Sequence, residues 1–303
     1  MILFNVLMLM LAVSFSSQAE SEGCYGAFNE TKGIEVRAKN KNIESLPLDH
    51  PENLRNYFDH TLLKPGASYK DIINLVEEAI TYKLKAICVN SCRVHDVAVY
   101  LKTRENKDPS SHKPLIVATI GFPLGAVPKI VKVQEAKRAV SSGADELDMV
   151  INIGSIKDGQ WAELRSEIES VVREGGVPVK VIIETDLLTK QEIQEVSRVS
   201  ATAGARFVKT STGFVPNGKG ALLKNIQLMK KGIKTARLDE TQEPELKASG
   251  GIKTLEQAVT FIQTAGVTRL GSSSSVAIMK EAMRKHQEDI STALWLGKKK
   301  ETN

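Results

Sequence analysis

The chain has 303 residues, 42% of them hydrophobic and 25% charged, the composition of an ordinary globular protein with one sizeable core. Its formal charge of +5 is modest and its aromatic content is 5%, with no interleaving of basic and aromatic residues, which argues against a nucleic-acid surface. A positive balance of this size suits an anionic small molecule instead.

Residues 2–15 form an apolar run too short for a stable membrane span, and Ser17-Gln18-Ala19 supplies small residues where a signal peptidase cuts. Residues 1–19 are therefore expected to be a secretory signal peptide, with an uncleaved anchor as the alternative because the run is preceded by no Lys or Arg. Asn29-Glu30-Thr31 is a glycosylation sequon. Residues 20–50 are polar and aperiodic, an extension ahead of a domain at 51–290; a basic tail with Lys298-Lys299-Lys300 occupies 291–303. Three cysteines, Cys24, Cys88 and Cys92, cannot all pair within one chain.

From residue 57 strands and helices alternate. Strand patterns fall at 57–63, 86–90, 113–122, 146–152, 179–185, 206–211, 245–249 and 268–271. Helical periodicity covers 69–82, 94–102, 129–142, 161–174, 190–203, 220–231, 255–265 and 276–285, with Ser68 as an N-cap and a glycine just after most helices. The stretch 235–244 fits neither pattern. The strands read as mainly apolar runs, as expected when both faces are buried. Eight strand–helix units predict an α/β fold, a closed (β/α)8 TIM barrel forming a single domain with an N-terminal extension; a doubly wound open sheet is the runner-up.

In such a barrel the chemistry lies at the C-terminal ends of the strands. Period two puts Phe207, Lys209 and Ser211 on one face of the sixth strand, and Glu245, Lys247 and Ser249 on one face of the seventh. A lysine with an ordinary pKa near ~10.4 is a neutral amine only about once in a few thousand molecules at pH 7. A second ammonium at ~6 Å in an effective dielectric of ~20 penalises the charge by roughly 3 kcal/mol, and burial adds to that. One lysine of the pair could then attack a carbonyl and form a Schiff base. Asp148, flanked by apolar residues on the fourth strand, is a candidate proton carrier or else a structural partner of either lysine. Asp59 and Thr61 belong to the site or to a network that orients it. Lys180 and Glu184 are expected to pair with each other, and His60 to be a satisfied core or loop histidine. His95, His112 and His286 show no ligand spacing, so no metal is expected. Ser249-Gly250-Gly251, Gly271-Ser272-Ser273-Ser274-Ser275 and Gly213 supply small residues and backbone N–H groups where these barrels hold phosphate.

Asp59-His60-Thr61-Leu62-Leu63-Lys64-Pro65, Glu146-Leu147-Asp148, Phe207 to Phe214 and Lys247-Ala248-Ser249-Gly250-Gly251-Ile252 resemble, in order, the motifs of the deoxyribose-phosphate aldolase family. The resemblance runs from about residue 52 to 285 and implies reversible cleavage of 2-deoxy-D-ribose 5-phosphate to D-glyceraldehyde 3-phosphate and acetaldehyde, with no cofactor. It implies that Lys209 is the Schiff-base lysine, Lys247 the lysine that perturbs it and Asp148 the proton relay. Cys88 matches a cysteine beside the pocket. Thr212, Gly213, Gly250, Gly251, Gly271, Ser273 and Ser274 match the phosphate loops, and Lys253 a basic residue there. Ser275 stands where many members carry a further glycine, residues 235–244 look longer than usual, and the C-terminus lacks the tyrosine some members bring to the site. Another Schiff-base sugar-phosphate aldolase or transaldolase, or a secreted non-catalytic sugar-phosphate-binding barrel, are the competing readings. The expected partner is a phosphorylated sugar, with no nucleic acid, no stable membrane span, and a homo-oligomer left open. The signal peptide implies the secretory pathway, the family a cytoplasmic location.

Overall fold

The computed structural model describes residues 48–238 and 243–301, with side chains as far as residue 293 in the last helix. The expected signal peptide, nearly all of the polar extension, the Asn29 sequon and Cys24 lie outside the described residues. Eight parallel strands follow one another around a closed barrel: β1 (Phe58–Leu62), β2 (Ala86–Asn90), β3 (Leu115–Ile120), β4 (Glu146–Val150), β5 (Val179–Ile182), β6 (Phe207–Lys209), β7 (Glu245–Ser249) and β8 (Arg269–Ser272). β8 pairs with β1 through Phe58 and Leu270, which closes the sheet and excludes the open doubly wound alternative. Each strand leads to a helix: α1 (Tyr69–Thr81), α2 (Val94–Lys107), α3 (Lys129–Ser141), α4 (Trp161–Gly175), α5 (Lys190–Thr202), α6 (Leu223–Thr235), α7 (Leu255–Ala265) and α8 (Ser275–Glu301). Among the described residues no helix is long and apolar enough to cross a membrane.

Local chemistry sets most of these boundaries. Capping boxes start α1 at Ser68 with Asp71, α5 at Thr189 with Glu192, and α7 at Thr254 with Gln257, each satisfying otherwise orphaned N–H groups. Three helices run well past their predicted ends, α2 among them, which continues from residue 102 to Lys107. The last helix runs on past residue 285 to Glu301, because about half of the sequence beyond is helix-forming Lys, Glu, Gln, Leu and Ala and it contains no proline. α6 does not stop at Gly232 but carries it inside, and the reason is packing. A Cβ built on Gly232 would lie 2.1 Å from the carbonyl oxygen of Gln194 on α5, so glycine there admits the neighbouring backbone.

Outward-facing strand residues, among them Phe58, Leu147, Met149, Val181, Val208 and Leu270, are fully buried against the helices, where apolar residues of all eight barrel helices join them. The inward face is different. On β2 and β3 it is mainly apolar, with Ala86, Cys88 and Val117 packed beside Leu63, and ends in a hydrogen bond of 3.5 Å from the Thr119 hydroxyl to Asn90. From β4 round to β1 it carries Glu146, Asp148, Lys180, Lys209, Lys247, Arg269 and Asp59, all buried. The strands are thus buried on both faces, as anticipated, but six of them alternate apolar with ionisable residues.

Gly232→Ala should destabilise the protein by about 1–3 kcal/mol through overpacking, although alanine is the better helix former by about 1 kcal/mol. Urea unfolding measures this, and a variant as stable as the parent would mean that α5 and α6 separate at no cost.

Candidate active site

The register of the barrel brings the ionised side chains together. Lys209 on β6 lies directly opposite Lys247 on β7, and Asp148 on β4 opposite Lys180 on β5. Asp148 Oδ2 accepts from Lys209 Nζ at 2.6 Å and from Lys247 Nζ at 2.7 Å. Lys180 Nζ lies 3.0 Å from the other oxygen of Asp148 and 2.6 Å from Glu146. Asp59 accepts from Lys247 and, at 2.7 Å, from Arg269, whose guanidinium also grips Glu146 with two bonds of 3.0 Å.

The electrostatics of this cluster are lopsided. Four cations, Lys180, Lys209, Lys247 and Arg269, share three carboxylates, Asp59, Glu146 and Asp148. Burial opposes the charge on Lys247, yet Asp148 and Asp59 outweigh it and hold its ammonium above the ordinary range. Lys209 goes the other way. Burial pulls its ammonium below the ordinary lysine range, Asp148 opposes the shift, and the charge on Lys247 adds to it. Burial also works against the carboxylates, but Lys180, Lys209 and Lys247 keep Asp148 well below the ordinary carboxylate range, and Arg269, Lys247 and Lys180 do the same for Asp59. The expected lysine pair therefore exists, but burial leads and the neighbouring ammonium follows.

A cleft of about 270 Å³ opens above the cluster at the C-terminal ends of β6, β7, β8 and β1. Lys209 reaches it, and so do Thr61, Thr212, Gly213, Gly250, Gly251, Lys253, Gly271, Ser273 and Ser274. Asp148, Lys247, Asp59 and Cys88 do not line it. The first three sit beneath in the ionic cluster, and Cys88 is buried with its Sγ 4.0 Å from Asp148, where burial pushes the thiol up to about 11. Among the described residues the cleft is lined by Lys64, Lys209 and Lys253 and by no carboxylate. Its wall is stitched together: Ser249 Oγ donates to the Ser211 carbonyl at 2.5 Å, and Ser272 Oγ donates to the Ile252 carbonyl at 2.7 Å. Gly250, at φ 88°, lets this wall close, since a Cβ there would meet the Gly220 Cα at 3.0 Å. A larger cleft, about 810 Å³, lies along α5 and α6 and contains none of the clustered side chains.

Several expectations need correction or completion. Lys180 does not pair with Glu184. β5 ends at Ile182, the backbone turns left-handed at Glu184, and its carboxylate accepts from Thr212, while Lys180 points into the charged cluster. Ser275 does not line the cleft; its hydroxyl donates to the Ser272 carbonyl at 2.9 Å and lies 2.8 Å from His60 Nδ1, which makes His60 a satisfied core histidine. Glu146 and Arg269 were missed as members of the cluster. Their signal was present, since two-residue alternation puts both on the inward face, but they lie at the starts of strands, where active-site residues are not sought.

Comparisons with known proteins give the family. The family described as DeoC/LacD family aldolase matches residues 44–280. The chain belongs to this aldolase family. Within it, the chain is 45% identical to a deoxyribose-phosphate aldolase of Thermococcus gammatolerans over 233 residues, 76% of this chain and 96% of the relative. It is 45% identical to the one from Staphylococcus carnosus over 225 residues, 74% and 94% of the two chains. Among solved structures, the aldolase QR15 superposes with a TM-score of 0.68 at 35% identity, covering 78% of this chain and 98% of that one. A deoxyribose phosphate aldolase from Aeropyrum pernix, described as tetrameric, does so with a TM-score of 0.63 at 30% identity, covering 77% and 93%. As a DeoC/LacD family aldolase the chain is a lyase.

Asp59→Asn should cost about 3 kcal/mol or more, because it leaves Lys247 and Arg269 buried with one carboxylate fewer. The depressed carboxyls of Asp59 and Asp148 stabilise the fold above the ordinary range near ~4 and lose that contribution as the pH falls below it. Urea melts at pH 7 and pH 3 should therefore show a smaller acid-induced loss in Asp59→Asn than in the parent; equal losses would place the acid sensitivity elsewhere.

Proposed function

We propose that this chain cleaves 2-deoxy-D-ribose 5-phosphate reversibly to D-glyceraldehyde 3-phosphate and acetaldehyde, with Lys209 as the Schiff-base lysine. The observation that carries the reading is a single buried lysine of weakened charge at the floor of a cleft with basic and hydroxyl groups but no acid in its lining. The family membership and the names of the relatives support it.

The neutral amine of Lys209 attacks the C1 aldehyde, and loss of water leaves a protonated imine. That imine draws the C2–C3 bonding electrons towards nitrogen while the C3 hydroxyl gives up its proton, so glyceraldehyde 3-phosphate leaves and an enamine remains. Protonation of the enamine carbon and hydrolysis of the imine release acetaldehyde and restore the amine. Asp148, 2.6 Å from Lys209 Nζ, is placed to move these protons through a water, and Lys247 stays charged beside it. Asp59 acts one step back, through Lys247, and Cys88 packs against Asp148 as a small buried group.

The phosphate is assigned to the opposite rim of the cleft, at Gly213, Gly250, Gly251, Gly271, Ser273 and Ser274, with Lys253 beside them and Thr61 and Thr212 flanking the sugar. α8 begins at Ser275, so Ser273 and Ser274 stand at the positive end of a long helix dipole. Residues 1–19 are read as a cleavable signal on their apolar run and small residues before the cut, which directs the enzyme to the secretory pathway.

Lys209→Ala should abolish cleavage, a loss of at least about a thousandfold in kcat, with the circular dichroism spectrum and melting transition of a folded barrel. Lys247→Leu should slow turnover and move the pH optimum upward, because removing a neighbouring positive charge makes the Lys209 ammonium easier to keep. Full activity in Lys209→Ala, or an optimum moved downward in Lys247→Leu, would sink the assignment.

A further inference from the structure

Glu184 has no place in the chemistry just described, yet the chain accepts two unfavourable features to put it where it is. Its backbone is left-handed at φ 56° and ψ 67°, a conformation a non-glycine residue adopts at a cost, and its side chain is 2% exposed. Burial raises its carboxyl above the ordinary range, with the hydrogen bonds from Thr212 opposing that.

The flanking residues show what the strained turn achieves. The Ile183 N–H donates to the Lys209 carbonyl at 3.1 Å, and the Thr185 N–H to the Thr210 carbonyl at 2.9 Å, so the end of β5 is clamped on the residue proposed as nucleophile and on its neighbour. Between the clamps, the left-handed step swings the Glu184 side chain over the segment that follows. One carboxylate oxygen, Oε2, takes both donors of Thr212: its N–H at 3.1 Å and its hydroxyl in a shorter bond. Thr212 Oγ1 in turn accepts from the Phe214 N–H at 3.1 Å, which closes a turn around Gly213 at φ 81°. Phe214 ends this turn in an edge-to-face contact with Phe122, centroids 5.1 Å apart. Thr212, Gly213 and Phe214 all line the cleft; Glu184 does not.

We propose that Glu184 is a positioning residue for substrate anchoring: its Oε2 takes up the donors of Thr212 and so fixes the Thr212–Gly213–Phe214 turn with the Gly213 N–H left to meet the phosphate end of the substrate. This rests on the aldolase reading above and adds to it a residue that acts from behind the cleft wall. The role is one of reach and shape. A carbonyl oxygen in the position of Oε2 can accept the same two bonds, so glutamine preserves the turn without a charge. Aspartate keeps the charge but is one methylene short of Thr212, and alanine removes the acceptor.

The test is steady-state kinetics of the full chain on 2-deoxyribose 5-phosphate and on unphosphorylated 2-deoxyribose. Wild-type turnover of the phosphorylated sugar is measured first, and its absence would remove the aldolase reading and this inference together. With that activity present, Glu184→Ala and Glu184→Asp should each raise KM for the phosphorylated substrate about tenfold or more, the scale of a lost hydrogen bond to a charged group, with little change in kcat. kcat/KM on unphosphorylated 2-deoxyribose should fall about threefold at most, and Glu184→Gln should stay within about threefold of wild type on both sugars. Should Glu184→Ala not fold, the contrast between the aspartate and glutamine variants carries the same test. Equal losses on the two sugars, an unchanged KM in Glu184→Asp, or a glutamine variant as impaired as the aspartate one would overturn the proposal while leaving the aldolase reading intact.

Discussion

Everything in the upper half of this barrel depends on one electrostatic constraint: four buried cations share three carboxylates. A charge without a counter-charge is costly away from water, and the cheapest relief is a weakened hold on one proton. The surrounding contacts decide which group is weakened. Arg269 cannot deprotonate and is held by Asp59 and Glu146. Lys180 is paired with Glu146 and Asp148, and Lys247 with Asp59 and Asp148. Lys209 alone among them has a single partner, an oxygen of Asp148 that it shares with Lys247. It is also the one of the four that borders the open cleft.

Buried ion pairs are weak evidence for stability, because desolvation consumes most of what the attraction supplies. A cluster of seven ionisable groups is therefore better understood through its effect on Lys209 than as a device for holding the barrel closed. Closure has another source. The apolar layer between the strands and the helices is continuous around the molecule, and the apolar interior of β2 and β3 completes it. The division of labour follows the strand period: outward residues stabilise the fold, and inward residues on the remaining strands set the charge of one amine. The cleft extends the same logic, with Lys209 at its floor and neutral donors and lysines along its wall.

The eight-unit architecture was legible from strand and helix periods, because each element carries its own pattern and caps. Lys209, Lys247 and Asp148 could be picked out because an ionised residue within a strand that is buried on both faces needs a reason. What escaped were the consequences of register. Glu146 and Arg269 look like ordinary surface charges until β4 and β8 are placed across the same interior. Spacing along a straight strand pairs Glu184 with Lys180, but β5 ends at Ile182 and the backbone turns at Glu184, which no local sequence signal announces for a glutamate. Gly232 was taken for a helix end for a similar reason: a glycine required by a neighbouring backbone and one required by a left-handed cap look alike in sequence.

The claim that Lys209 is the amine left neutral by this imbalance is tested most directly by trapping. The folded protein is incubated with acetaldehyde across a pH series, reduced with borohydride, and the adduct located by peptide mapping. The account predicts an adduct on Lys209, with trapping half-maximal at a pH below the ordinary lysine value near ~10.4. An adduct on Lys247 or Lys180, or trapping on Lys209 that follows the pH dependence of an ordinary surface lysine, would contradict it.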